Sequence, residues 1–187
     1  MKKFIVILYF LLFPTISVIA GETNFWLEGQ GIHSRDGKDI SQVNGGLSGN
    51  ISGPVGYFVF GQTISTGYRQ IYGGPTLKPF SWLEVGVAGG QETGGTPNRR
   101  AAYLWSGNDS VSVIGIFENG GSGPWHKIVV NYRVSNSVGI GIMDQAFLGR
   151  GPRMEYSLNK NVTLWGAVLH DKTSNSTNST FAVNFSF

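Results

Sequence analysis

From about residue 24 onward, apolar and polar side chains alternate in short runs, and each run ends in a cluster of turn-forming residues. Residues 125–134 place Ile128, Val130, Tyr132 and Val134 on one face. Lys127, Asn131 and Arg133 fall on the other, with Val129 among them. Residues 152–158 set Met154, Tyr156 and Leu158 opposite Arg153, Glu155 and Ser157. The tail sets Phe181, Val183, Phe185 and Phe187 opposite Thr180, Ala182, Asn184 and Ser186. A period of two is the signature of strands with one apolar and one polar face. Counting back from the C-terminus, the pattern predicts strands near 179–187, 162–170, 152–158, 138–148, 125–134, 110–118, 99–106 and 79–90. The N-terminal third is less sharply patterned and offers 24–33, 41–51, 55–64 and 66–72, for a total of twelve. Eight or ten longer strands stay open, because glycines around Gly45 and Gly73 weaken strand propensity there.

The connections differ in kind. Residues 106–109, 135–137 and 159–161 read as tight turns rich in Ser, Asn and Gly. Residues 91–98, 119–124, 149–152 and 171–178 read as looser loops. Short turns at one end and longer loops at the other suit a barrel that crosses a membrane with its strands.

No sustained helical stripe is present, and composition reinforces the strand reading. Charged residues make up only 13% of the chain and glycine supplies 28 of 187 residues. Such a low charge content suits an outer face that meets lipid. The first twenty residues stand apart. Lys2 and Lys3 precede an apolar run from Phe4 to Phe13, Pro14 breaks it, and Val18-Ile19-Ala20 offers a small-residue cleavage site. This predicts a signal peptide over 1–20 and a mature domain over 21–187, the run being too short for a spanning helix. Without the two signal lysines, 12 basic residues face 11 acidic ones. The pI near 9.2 therefore gives no reason to expect nucleic acid as a partner. There is no cysteine, which excludes a small disulfide-stapled secreted domain.

The apolar alternation of Phe181, Val183, Phe185 and Phe187 resembles the closing strand of Gram-negative outer-membrane β-barrel proteins. The resemblance implies an all-β fold, a closed antiparallel transmembrane barrel in the cell outer membrane. It further implies recognition of the tail by the barrel-assembly machinery and contact with outer-membrane lipid. A secreted β-sandwich is the rival, and the N-x-S/T sites at Asn50, Asn108 and Asn161 would suit a glycoprotein.

Charges on the faces opposite the apolar stripes should point into the lumen, since Lys or Arg facing mid-bilayer costs about 2–4 kcal/mol. The candidates are Glu28, Arg69, Glu84, Arg100, Lys127, Arg133, Arg153 and Glu155, five basic and three acidic. A basic lumen concentrates anions, so a narrow channel for small anionic or sugar-like solutes is expected. This layout resembles the twelve-stranded acidic-oligosaccharide porins. The competing expectation is an ion-pair network that plugs a structural or adhesion barrel. His33, His126 and His170, with Ser34 and Asp171 beside two of them, offer a weaker alternative, because outer-membrane lipid-modifying enzymes use a rim histidine. Three isolated histidines do not have metal-ligand spacing, and neither a cofactor nor a metal is expected. Gly120-Gly121-Ser122-Gly123 lacks the lysine and helix of a phosphate-binding loop.

Overall fold

The computed structural model describes residues 23–34, 37, 39–94 and 96–187, so the predicted signal peptide lies outside the described residues. Twelve strands follow in order: β1 Thr23–Ser34, β2 Asp39–Ser52, β3 Val55–Ile64, β4 Arg69–Phe80, β5 Leu83–Glu92 and β6 Asn98–Gly107. The second half contributes β7 Val111–Gly120, β8 Trp125–Arg133, β9 Val138–Gln145, β10 Gly149–Ser157, β11 Val162–Asp171 and β12 Ser176–Ser186. Each strand pairs antiparallel with its neighbours in sequence, and β1 pairs with β12 to close the barrel. Closure leaves no unpaired strand edge, which is what lets a sheet exist in hydrocarbon.

The alternation read from sequence becomes the two walls of the barrel. Ile71, Val87, Ile142, Met154 and Phe181 are exposed on the outside, while Gln30, Asn44, Gln70 and Thr180 are buried inside. The usual core is inverted, the arrangement expected of a barrel whose outer face meets lipid. Closure is made by the C-terminal strand. Phe187 and Phe25 exchange backbone hydrogen bonds, N–H to C=O, at 2.8 and 3.2 Å, and their rings lie 5.8 Å apart.

Several boundaries differ from the sequence reading. The strand expected over 138–148 ends at Gln145, and β10 begins at Gly149, inside the expected loop 149–152. The chain turns instead at Ala146-Phe147-Leu148, with Phe147 at φ 68° and Gly149 at φ 97°. The strand expected over 79–90 is shifted, since β4 runs through Pro75 and Pro79 to Phe80 and β5 starts at Leu83. The glycine-rich segments are strands after all. A side chain at Gly46 would meet the Trp26 indole at 2.7 Å, so the tryptophan fills the inward space that a Cβ would occupy. The predicted contrast in loop length is slight: the connections 53–54, 81–82, 108–110, 134–137 and 158–161 lie at the end bearing both termini. Those at the other end, 35–38, 65–68, 93–97, 121–124, 146–148 and 172–175, are only marginally longer.

Candidate functional site: the barrel lumen

Strand register fixes which residues face the bore. Glu28, Asn44, Gln62 and Gln70 form one row across β1 to β4 through the pairs Glu28↔Asn44, Asn44↔Gln62 and Gln62↔Gln70, and Gln30↔Gln42 lies one layer further from the termini. One layer nearer the termini, Trp26, Phe60 and Tyr72 face inward, joined by the pairs Trp26↔Gly46, Gly46↔Phe60 and Phe60↔Tyr72. The remaining strands continue these layers with Arg99, Glu118, Lys127, Arg153 and Trp165.

The middle of the lumen is occupied by a cluster centred on Trp165. Its indole N–H donates to Glu28 Oε2 at 2.8 Å. Lys127 Nζ and the Arg153 guanidinium each lie 5.0 Å from its ring centroid. Cations over an indole face are attracted to it, more strongly when shielded from water. Arg153 also donates to Glu155 at 2.6 Å, and Asn131 Nδ2 donates to the other Glu155 oxygen at 2.6 Å. Another part of the wall is aromatic: Phe60 stacks on Tyr72 at 4.9 Å, and Phe58 lies 5.6 Å from Tyr103. Fully buried Met143 and Leu169 help fill the same zone.

Nearer the end away from the termini, Arg99 is held between two carboxylates. Arg99 Nε and Nη2 donate to Glu118 Oε2 at 3.0 and 2.7 Å, and Nη1 donates to Glu92 at 3.1 Å. All three side chains are no more than 3% exposed. The Tyr72 hydroxyl donates to Glu118 at 2.8 Å. Glu92 accepts from the Ser122 backbone and hydroxyl, both at 2.7 Å, which pins the 121–124 connection to the wall. Burial and its contact with the Glu92 carboxylate push the Tyr68 hydroxyl, in the 65–68 connection, up to about 12, so it remains a donor.

Two cavities flank the central cluster. One of about 270 Å³ opens at the end away from the termini, between Gln42, Gln70, Arg99, Trp125, Gln145 and Leu148. The other, of about 180 Å³, lies at the terminal end and is lined by Trp105, Asp109, Ser112, Asn131 and Arg133.

Comparison with known proteins places this architecture. No protein-family model matches the sequence, and no curated protein does. Among solved structures, the KdgM porin superposes with a TM-score of 0.59 at 12% identity, over 87% of this chain and 99% of that one. The same porin has been solved in complex with disordered oligogalacturonate, with a TM-score of 0.58 at 12% identity over 88% and 99% of the two chains. The NanC porin gives 0.55 at 10% identity, over 85% and 98%. Escherichia coli outer membrane phospholipase A gives 0.53 at 13% identity, over 88% and 92%. The fold is that of outer-membrane barrels. At these identities the likeness concerns the fold alone.

The register assigns the eight candidate lumen charges to two faces. Glu28, Glu84, Lys127, Arg133, Arg153 and Glu155 occupy inward positions. Arg69 and Arg100 do not: both are exposed on the outward face, at the end away from the termini. Arg99, rather than its neighbour Arg100, is the inward arginine of β6. With Arg69 and Arg100 removed and Glu92, Arg99 and Glu118 added, the set becomes four basic and five acidic. The expected basic excess is therefore absent from this set. What remains basic is a strip on β8 and β10, formed by Lys127, Arg133 and Arg153.

The three histidines sit at the predicted end, on outward positions of three different strands. His33 Nδ1 lies 2.6 Å from Asp39, His126 Nε2 3.5 Å from Asp144, and His170 Nδ1 3.4 Å from the Thr177 hydroxyl. Each has its own partner, and the three do not converge on one reacting position. Asp171 accepts from Thr173 N–H and the Ser174 hydroxyl, an arrangement that caps the 172–175 turn.

Proposed function

We propose that the chain resides in the outer membrane and passes small hydrophilic solutes through a constricted lumen, with preference for anionic or sugar-like ones. The observation that carries the reading is the pair of cavities at opposite ends of one barrel, separated by a layer of side chains rather than by folded backbone. Side chains can swing aside on the timescale of solute passage, whereas a folded plug cannot. The anion preference rests on Arg133, which lines the terminal-side cavity and whose guanidinium makes no hydrogen bond or ion pair among the described residues. Lys127 and Arg153 extend that strip toward the middle of the bore. The likeness to the KdgM porin, solved with oligogalacturonate, is in keeping with this solute class.

Planar-bilayer recording of the refolded protein tests the reading. Small unitary currents with anion selectivity are expected. Changing Arg133 and Arg153 together to Glu should abolish or reverse that selectivity, most clearly at low salt, where screening is weak. A variant that folds and conducts with unchanged selectivity would remove the basic strip from the mechanism, and a silent wild-type protein would remove the channel.

The C-terminal Phe187 belongs to the same proposal as an assembly signal. Its exchange of backbone hydrogen bonds with Phe25 forms the last rung of the closing seam. Deleting it should lower the heat-modifiable, membrane-assembled fraction while leaving export unchanged. Equal assembled levels in a quantitative blot would dismiss the role.

A further inference from the structure

We infer that the cavity at the end away from the termini is a binding site for an uncharged, hydroxyl-rich solute, a neutral sugar ring. The inference deepens the channel reading and rests on it for its purpose, but not for its chemistry.

The chemistry follows from the direction of the hydrogen bonds around the cavity. The Thr180 hydroxyl donates to the Gly31 carbonyl at 3.1 Å, so its lone pair accepts from Gln30 Nε2 at 2.7 Å. Gln30 Oε1 then accepts from Gln42 Nε2 at 2.5 Å. That order turns Gln42 Oε1 outward as an acceptor with no protein partner among the described residues. A second chain has the same sense. Glu28, which can only accept, takes a hydrogen bond from Asn44 Nδ2 at 3.0 Å, Asn44 Oδ1 takes one from Gln62 at 3.0 Å, and Gln62 Oε1 takes one from Gln70 at 3.3 Å. In both relays the engaged amide N–H is directed to the next residue of the chain and not into the cavity.

A second, independent observation points to a ligand. Gln145 lines the cavity and is only 6% exposed, yet its Oε1 has no hydrogen-bond partner. A buried amide oxygen left unpaired is costly, and turning the Gln145 amide toward the cavity would present it to a ligand hydroxyl. Trp125 and Tyr68 line the cavity from different sides of the barrel and supply aromatic surface suited to the apolar C–H face of a pyranose. The volume of about 270 Å³ equals roughly nine waters, room for one sugar ring.

An anion fits poorly. Its charged group has no hydrogen to offer the two amide oxygens. The cation in the wall, Arg99, has its Nε, Nη1 and Nη2 engaged by Glu92, Glu118, Ser122 and the Gly123 carbonyl. That cluster is net negative by one charge. The cavity therefore selects for hydroxyl donors, while the basic strip near the termini deals with charge.

Calorimetric titration of the refolded protein with methyl α-glucoside and with glucuronate tests the site. The glucoside should saturate and bind at least ~10-fold more tightly than glucuronate. Gln42→Leu and Gln145→Leu should each weaken glucoside binding about tenfold, the loss of one good hydrogen bond. Heat-modifiable migration confirms that each variant is folded, and Gln42→Asn, which keeps an amide, should retain part of the affinity. Absence of saturable heat, tighter binding of glucuronate, or folded Leu variants that bind like the wild type would each overturn the inference. Binding is read at equilibrium without transport: a protein that binds the glucoside but carries no current keeps the site and loses the channel, and a conducting protein that does not bind loses only the site.

Discussion

Replacing Arg99 with Leu should prevent the barrel from refolding in detergent under conditions in which the wild type refolds completely. Glu92 and Glu118 are held almost entirely out of solvent by this one cation. Without it, two carboxylates remain buried with only Tyr68, Tyr72 and Ser122 as donors. Breaking a buried pair by deleting one partner typically costs about 3–5 kcal/mol. That is a large part of the net stability of a domain this size. Arg99→Lys should recover little, since a point charge cannot serve Glu118 through two nitrogens while also reaching Glu92 and the 121–124 connection. The triple change Glu92→Gln, Arg99→Leu and Glu118→Gln should refold better than Arg99→Leu alone, because no uncompensated charge is then left behind. The heat-shifted band on a gel across a urea series gives the readout. If Arg99→Leu refolds with the wild-type midpoint, the triad does not stabilise the barrel.

The triad also shows where sequence reasoning stopped. Strand number, pairing order and the terminal closing strand were legible, because an apolar outer wall around a polar lumen imposes a two-residue period along the strands. The period is ambiguous on β6. In the run Asn98–Trp105 both faces carry apolar residues, Tyr103 and Trp105 on one and Ala102 and Leu104 on the other. The inward phase is fixed only by the pairs Gly90↔Arg99 on one side and Ala101↔Glu118 on the other. Sequence alone thus chose Arg100 over Arg99. Glu92 and Glu118 were hidden for a related reason: each lies near a strand end, where the alternation gives way to a loop that folds inward. The glutamine relays had no signal of their own, since amides on a polar strand face look like ordinary filler until the register pairs Gln30 with Gln42 and Gln62 with Asn44 and Gln70. The turn at Phe147 was unreadable because Ala-Phe-Leu has the composition of a strand. Only the positive φ of Phe147, with Gly149 after it, reveals the reversal.

Trp165→Ala is expected to widen the conductive path more than any other single change in the lumen. The indole lies between the two cations of the middle layer and is tied to Glu28, so it links β11 with β8, β10 and β1. Its removal deletes the largest side chain of that layer and frees Lys127 and Arg153 to point into the space created. Unitary conductance should rise, and anion selectivity with it, because the two cations would then be solvated beside the path rather than packed on a ring. The change has a stability cost, since truncating a buried tryptophan typically loses about 3–5 kcal/mol. Trp165→Phe separates the two effects. It keeps a ring face between the cations while giving up the hydrogen bond to Glu28, so it should fold and conduct close to the wild type. If Trp165→Ala folds and its conductance is unchanged, the constriction lies in another layer, and the aromatic wall of Phe58, Phe60, Tyr72 and Tyr103 is where the next substitution belongs.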